Sequence, residues 1–176
     1  MNRAAPSRLA LAMALVGLAS MLGCVRSIIG RAPEERDWAV TGGDAGNTRY
    51  SPLSQINRDN VARLEVAWVY HTGDGSRTSQ IQATPIVVRG ILYSTSPAGR
   101  AFALRAESGE ELWKFDPGVT DVGVNRGVVY WENGVEHRIL FTAGSRLFAL
   151  DATTGALIPS FGIGGSIDLA QGLGRD

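Results

Sequence analysis

The residues that most often carry out chemistry are sparse in this sequence and poorly placed for it. The two histidines, His71 and His137, have no partner at metal-ligand spacing and no carboxylate–serine context, so we expect both to be solvent-facing loop residues. Gly162, Gly164 and Gly165 form a glycine cluster, but no strand-to-helix pattern surrounds them, so they do not predict a dinucleotide-binding loop. The sequence therefore favours neither a metal centre nor a nucleotide site.

The charge balance bears on the class of partner. The basic residues number 17, as do the acidic ones, so the formal net charge is zero. All but one of the basic residues are arginines, and they are scattered rather than gathered in a basic tract. Nothing in this pattern favours nucleic acid or an acidic protein partner.

The N-terminus has the pattern of a secretory signal. Arg3 and Arg8 precede an uncharged apolar run over residues 9–23. This run is shorter than the roughly 20 residues that a membrane-spanning helix needs, and it predicts a signal peptide with a short signal helix. The predicted division of the chain is a signal peptide at 1–23, a tether at 24–36 and a folded domain at 37–176.

Cys24 is the only cysteine of the chain, so no internal disulfide can form. The stretch Met21-Leu22-Gly23-Cys24 resembles a bacterial lipobox, which implies that Cys24 becomes the lipidated N-terminus of a periplasmic, membrane-anchored protein. The alternative is a signal peptide that happens to end near a cysteine. In both cases the mature chain leaves the cytoplasm.

The elements that must position any site come from a repeat. Residues 91–115 and 139–161 are similar: the Phe-Ala-Leu of 102–104 returns at 148–150, and Gly109 returns as Gly155, both 46 positions later. Repeats of this length are typical of solenoids and propellers. The alternative is two unrelated hairpins that share their turn chemistry.

Each copy of the repeat has the composition of short strands. Residues rich in β-branched and aromatic side chains predict strands at 83–88, 91–95, 101–105 and 111–115. Arg89-Gly90 is predicted to form a hairpin turn, and the turn glycines Gly109 and Gly155 are predicted to adopt positive φ.

A partial third copy lies upstream. Residues 64–70 are similar to the last strand of the repeat, since Trp68 precedes Trp113 by 45 positions, and they predict the outer strand of a further unit. Four short strands per roughly 45 residues is the period of a propeller blade. The sequence therefore predicts an all-β fold: a partial β-propeller of about two to three four-stranded blades.

Several blocks of sequence resemble a known family. The block Thr-Arg-Tyr-Ser-Pro-Leu at 48–53, followed by Gln-Ile-Asn at 55–57 and by Asn-Arg-Gly-Val-Val-Tyr-Trp at 125–131, resembles the opening of the pyrroloquinoline-quinone (PQQ)-dependent quinoprotein dehydrogenases, of the glucose and alcohol dehydrogenase type. The resemblance covers nearly everything after residue 36. It implies that the chain is the N-terminal part of an eight-bladed propeller.

The repeat also resembles the tryptophan-docking motif of this family, Ala-x-Asp-x-x-Thr-Gly-x-x-x-Trp. The first copy has Trp113 but carries Arg105 in place of the aspartate, and the second has Asp151 but carries Pro159 in place of the tryptophan. We expect each departure to weaken one contact between blades without breaking the pattern.

The resemblance implies a cofactor and three residues that contact it. PQQ carries three carboxylates and a reactive ortho-quinone, so its site needs cations and hydrogen-bond donors. Arg126 matches an arginine that pairs with a quinone carboxylate, and Thr142 matches a hydroxyl donor. Gln82 stands where alcohol-type members carry a glutamate; its amide can hydrogen-bond but lacks the charge.

The resemblance also bears on the substrate. Alcohol-type members carry a vicinal cysteine pair just before the Asn-Arg-Gly block, whereas residues 120–124 here read Thr-Asp-Val-Gly-Val. This difference favours sugars or polyols, in the manner of the glucose-type members. The parent enzyme would act on an alcohol or aldose and pass electrons to a quinone or cytochrome.

No residue of this chain matches the family's catalytic aspartate or calcium ligands. We therefore expect the chain to contribute part of the cofactor site, without the catalytic base or the metal, and to be inactive alone. One alternative is a non-enzymatic propeller lipoprotein, similar to the scaffold subunit of outer-membrane protein assembly. Another is a protein-binding blade module without a cofactor.

Overall fold

The computed structural model describes residues 37–174 and contains two antiparallel β-sheets, each with its four strands in chain order. Blade 1 consists of β1 (Ile86–Val88), β2 (Ile91–Thr95), β3 (Ala101–Arg105) and β4 (Glu111–Phe115). Blade 2 consists of β5 (Val129–Asn133), β6 (Glu136–Ala143), β7 (Arg146–Asp151) and β8 (Ser166–Asp168). The all-β, partial-propeller prediction is confirmed.

Helical structure in this part of the chain is limited to one 3-10 turn, Val61–Arg63. Over residues 37–174, no helix has the length and apolar character needed to cross a membrane. The predicted signal helix, the tether and Cys24 lie outside the described residues.

The predicted strands of blade 1 agree with the observed ones except at one end. The first strand begins at Ile86 rather than at residue 83, because Thr84 pairs with Gly127 in the second half of the domain instead. Arg89 and Gly90 form a two-residue turn with φ values of 52° and 77°. Positive φ at both positions is the mark of the turn that matches the twist of a hairpin.

The hydrophobic core lies between the two blades. Tyr93, Ala103 and Trp113 are paired across β2, β3 and β4 and therefore share one face of blade 1. They belong to one buried cluster with Ile139 and Phe148 of blade 2. Burial of apolar area stabilises by about 25 cal/mol per Å², so this interface stabilises the described fold.

Two tryptophans make the same contact at successive blades. The indole N–H of Trp113 donates to the carbonyl of Ala152 at 3.0 Å, and that of Trp68 donates to the carbonyl of Ala106 at 3.1 Å. A Cβ on Gly155 would lie 2.6 Å from the Trp113 ring, and a Cβ on Gly109 would lie 2.6 Å from the Trp68 ring. Each indole thus occupies the space that a glycine leaves on the next blade.

The upstream segment makes the contacts of an outer strand without forming one. Residues 64–70 are not assigned to a strand, because a strand needs a hydrogen-bonded neighbour and no described segment supplies it. Tyr70 nevertheless packs on Phe102 with ring centroids 5.0 Å apart, as Phe115 packs on Phe148 at 5.9 Å. Residues 64–70 therefore pack on blade 1 as an outer strand would, without being assigned to a strand.

The turn before each docking site keeps its shape when the aspartate is lost. In blade 2, Asp151 accepts hydrogen bonds from the backbone of Thr153 and Thr154 and from the hydroxyl of Thr154. In blade 1, Arg105 instead pairs with Glu110 at 3.1 Å. The backbone N–H of the glycine still reaches the carbonyl four residues back in both blades, at 2.8 Å for Gly109 and 2.9 Å for Gly155.

The outer edge of blade 2 departs from the repeat. Residues 157–161 align with β4, but they form only an isolated bridge between Leu157 and Leu150. Pro159 has no N–H to donate to a ladder and disfavours a strand here. The fourth strand is β8, which pairs with β7 after a turn through Gly164 and Gly165.

The glycine beneath Trp113 gives a direct test of indole docking. Gly155→Ala would place a methyl group within 2.6 Å of the Trp113 ring and would also force alanine to adopt φ 71°. Gly134→Ala, at φ 62° with open space around it, imposes only the backbone cost. We expect Gly134→Ala to lower the free energy of unfolding of the complete protein by about 1–2 kcal/mol. Gly155→Ala should lower it by about 1–3 kcal/mol more.

Urea unfolding followed by tryptophan fluorescence measures both variants. Equal losses in the free energy of unfolding for Gly155→Ala and Gly134→Ala would show that packing of the indole does not require a residue without a Cβ at position 155.

Candidate functional site

A polar cleft of about 250 Å³ opens where the two blades meet. Three segments line it: residues 78–83 before β1, residues 95–99 after β2, and residues 123–125 before β5. The side chains on these segments are hydroxyls, amides and small apolar groups, and none is charged. Such a lining can hydrogen-bond a polar ligand but contains no acid or base of its own.

Asn125 is the most highly connected side chain of the cleft. Its Oδ1 accepts from the Thr95 hydroxyl at 3.0 Å and from the Gly127 N–H at 2.7 Å, and its Nδ2 donates to the Thr142 carbonyl at 2.6 Å. Thr95 belongs to blade 1 and Thr142 to blade 2. One amide therefore links both blades to the segment that connects them.

The segment between β4 and β5 is also held by shape. Val122 lies over Gly99, where a Cβ would come within 2.8 Å of the valine side chain. The Val122 carbonyl accepts from the Gly144 N–H at 3.2 Å. Because Gly99 is in blade 1 and Gly144 is in blade 2, this segment is packed against both.

Two of the predicted cofactor residues lie at or beside the cleft. Gln82 lines it. Arg126 follows directly after Asn125, and its carbonyl accepts from the Thr84 N–H at 3.0 Å. The Arg126 side chain is exposed, and over residues 37–174 its guanidinium has no hydrogen bond or ion pair. It is a cation on the residue next to the cleft-lining Asn125, and it is available to an anionic ligand.

The third predicted residue is placed differently. Thr142 lies within β6 between the buried residues Phe141 and Ala143, and its exposed side chain points to the other face of the strand. It does not line the cleft. Its backbone carbonyl, rather than its hydroxyl, contributes here through the bond from Asn125. Contact between its hydroxyl and a cofactor stays a prediction.

A charged network supports the wall of the cleft. Ser96 donates to Asp74 at 2.5 Å, and Arg100 donates to Asp74 at 3.1 Å and to Asp116 at 2.8 Å. The Asp74 side chain is only 5% exposed. Burial raises the pKa of the Asp74 carboxyl, but hydrogen bonds from Ser96, Thr72 and Arg100 outweigh burial and hold the pKa below 3.8.

Arg49, in the Thr-Arg-Tyr-Ser-Pro-Leu block at 48–53, lines a second cavity near the start of β1. Arg49 and Thr84 line this cavity together with Trp38, whose backbone pairs with Val87 of β1. Asp44 accepts from the backbone and side chain of Thr48, and these bonds lower the pKa of the Asp44 carboxyl. Trp38, upstream of the block, therefore pairs with the first strand of blade 1, while residues 48–53 themselves are exposed.

The two histidines have different environments. His71 is exposed and outside any strand, as predicted. The prediction of a solvent-facing loop residue is wrong for His137, which lies in β6 and stacks on Tyr130 with its Nδ1 2.9 Å from the tyrosine hydroxyl. Strand pairing of Asn133 with Glu136 brings the histidine into the sheet. This cluster lies at the opposite end of the strands from the cleft.

The groups around the cleft indicate which ligand chemistry it can hold. Over residues 37–174, no group of three or more histidine, cysteine, aspartate or glutamate side chains could hold a metal ion. The donors that are present, an unpaired guanidinium next to amides and hydroxyls, can hydrogen-bond a ligand that carries carboxylates and carbonyls. This donor set agrees with the cofactor that the sequence resemblance implies.

Asn125 was not among the predicted site residues. It stands in the same Asn-Arg-Gly block as Arg126, so the block itself was the available signal. Its bonds join residues 95, 127 and 142, which only the tertiary fold brings together.

Comparison with known proteins agrees with this architecture. The sequence model of a family designated PQQ and described as the β-propeller domain of glucose/ethanol/alcohol dehydrogenases matches residues 38–176. The chain is 36% identical over 161 residues to the glycerol dehydrogenase large subunit of Gluconobacter thailandicus. It is 37% identical over 159 residues to the 1-butanol dehydrogenase (cytochrome c) of Thauera butanivorans.

A solved structure has the same fold. The quinohemoprotein alcohol dehydrogenase from Comamonas testosteroni superposes with a TM-score of 0.64 at 32% sequence identity, over 85% of this chain and 21% of that one. The two curated relatives match over 81% and 85% of this chain and over 22% and 21% of their own length. The chain therefore spans about a fifth of the length of the relatives it matches.

The network behind the cleft predicts an acid-sensitive contribution to stability. A carboxyl whose pKa is lower in the folded state stabilises the fold above its unfolded pKa, and this contribution is lost as the pH falls through the folded pKa. Asp74→Asn should therefore destabilise the complete protein at pH 7 and cost less at pH 3, because the wild-type advantage fades below about pH 4.

Thermal unfolding at the two pH values measures this effect. Asp59→Asn, an exposed aspartate in the loop before the 3-10 turn, serves as the control. A difference between wild type and Asp74→Asn that is the same at both pH values would contradict the ionic role of Asp74.

Proposed function

Because this chain belongs to the β-propeller family of the PQQ-dependent quinoprotein dehydrogenases, we propose that it forms the N-terminal part of an enzyme that oxidises an alcohol with PQQ as cofactor. The observation that carries the proposal is the match of the family over residues 38–176, together with the amides that line the cleft and the cationic Arg126 next to Asn125. The greater length of the relatives, and the packing of residues 64–70 on blade 1 without a strand partner of their own, support a longer parent enzyme.

The described residues would take part in binding the cofactor. Arg126 would pair with a carboxylate, since a guanidinium makes strong charge-assisted hydrogen bonds. Gln82 would present an amide group beside it. PQQ, when bound, supplies the two-electron oxidation chemistry, and the protein supplies orientation and charge. The catalytic base and the calcium ligands of the parent enzyme would come from other parts of the protein.

An alcohol is the substrate class that the relatives support. The two curated relatives are named for glycerol and 1-butanol. The narrower hypothesis is an aldose or polyol in the manner of the glucose-type members, and it rests on the absence of a cysteine pair from residues 120–124. Electrons would pass to a quinone or a cytochrome; one relative carries cytochrome c in its name.

The N-terminal sequence supports a periplasmic location with a lipid anchor at Cys24. In cells, Cys24→Ser should move the protein from the membrane fraction to the soluble periplasmic fraction, while Ser27→Ala should leave it with the membranes. Retention of Cys24→Ser in the membrane fraction would show that lipidation of this cysteine is not the anchor.

Cofactor binding is tested on the complete protein, prepared without PQQ and titrated with it by equilibrium dialysis. We expect Arg126→Gln to raise the Kd for PQQ by about tenfold or more, because a charged hydrogen bond to a carboxylate is lost. Arg58→Gln makes the same change of charge at an exposed position away from the cleft and should leave the Kd within about twofold.

The outcomes separate the possible functions. PQQ-dependent reduction of a dye with alcohols as substrates would establish the reaction. Dye reduction with aldoses, or its absence, would then decide whether the substrate class includes sugars. The isolated 176-residue chain should show no such activity. A complete protein that neither binds PQQ nor reduces the dye would instead favour the lipoprotein scaffold.

A further inference from the structure

We propose that Asn125 is a positioning residue that holds the backbone of Arg126 beside the cleft, and that the buried hydroxyl of Thr95 is its anchor in blade 1. This inference rests on the proposed function, since it concerns how the same site presents its cation to an acidic ligand. It adds two residues that do not themselves need to touch the ligand.

The first step is that the Asn125 amide has one stable orientation. The Gly127 N–H can only donate and the Thr142 carbonyl can only accept. Oδ1 therefore faces Gly127 at 2.7 Å, and Nδ2 faces Thr142 at 2.6 Å. With these two contacts made, Oδ1 still accepts the Thr95 hydroxyl at 3.0 Å.

The second step is that the Thr95 hydroxyl is committed to this bond. Thr95 is 1% exposed, at the end of β2. A buried hydroxyl without a partner costs about 1–3 kcal/mol, and Asn125 is the side chain that it meets at hydrogen-bond distance. The bond therefore ties the connecting segment to the interior of blade 1.

The third step is that the backbone on both sides of Arg126 is fixed. The Arg126 carbonyl accepts from the Thr84 N–H at 3.0 Å. Gly127 adopts φ 140°, and a Cβ there would lie 2.9 Å from the Thr84 carbonyl oxygen. With the Asn125 side chain held on one side and Gly127 pressed against blade 1 on the other, the Cα of Arg126 has little freedom.

The consequence is a fixed backbone that carries an exposed, cationic side chain. A ligand that pairs with Arg126 then pays only for ordering the side chain, not the loop, and binds more tightly for that reason. Loss of the Thr95 hydroxyl would free one side of the clamp while leaving the arginine and its charge intact. The effect should appear in ligand affinity more than in stability.

Two substitutions at position 95 isolate the hydroxyl. Thr95→Val keeps the shape and removes the donor, whereas Thr95→Ser keeps the donor and removes a methyl group. In the complete protein, we expect Thr95→Val to raise the Kd for PQQ about fivefold and Thr95→Ser to leave it within twofold. Thr153→Val, which removes an exposed turn hydroxyl of blade 2, is the control and should change neither Kd nor Tm.

A double-mutant cycle shows whether Thr95 acts through Arg126. In the Arg126→Gln background, Thr95→Val should raise the Kd by less than twofold, because the contact that it positions is already gone. If the two substitutions instead raise the Kd independently, so that their fold-changes multiply in the double variant, the inference would be overturned. A lowered Tm with an unchanged Kd for Thr95→Val would overturn it too, because the role would then be structural only.

Failure of this inference can be told from failure of the proposed function. If the wild-type protein binds PQQ and Arg126→Gln weakens binding while Thr95→Val does not, only the positioning role is lost. If the wild-type protein does not bind PQQ, the proposed function is lost as well.

Discussion

The docking of an indole from one blade onto a glycine turn of the next is the constraint on which the described fold depends. Trp68 and Trp113 each donate to a carbonyl of the following blade and fill the space above a glycine. A single four-stranded sheet has two faces to cover, so blades are stable only when they stack. The repeated contact sets the spacing between neighbouring sheets, and that spacing determines where the inner strands meet.

The cleft is a consequence of this stacking. Its walls come from the ends of blade 1 and from the segment that crosses to blade 2, and that segment is held by Val122 over Gly99 and by the Asn125 amide. Neither blade alone would form it. This arrangement explains how a fold made of small repeated sheets can hold the backbone of a cationic residue, Arg126, on a connecting segment rather than on a strand.

The strands and turns of blade 1 were predictable because their causes are local. Alternation of β-branched and aromatic residues specifies a strand, and a glycine at positive φ specifies a tight turn. The errors arose where pairing partners decide the structure. His137 is drawn into β6 by the register with β5, Pro159 moves the outer strand of blade 2 to residues 166–168, and residues 64–70 lack a neighbour within the described chain.

The candidate site was predictable only in part. The Asn-Arg-Gly block and Gln82 were identified by resemblance, and Gln82 and the asparagine of the block line the cleft. The role of Asn125, its bond to Thr95, and the outward direction of the Thr142 side chain were not, because residues 95, 125 and 142 are distant in sequence. The sequence by itself determined the repeat, the strand class and the family, since these depend on the identity and spacing of neighbouring residues. Only the tertiary structure decided which side chains converge between the blades, because that depends on the angle and register at which two sheets pack.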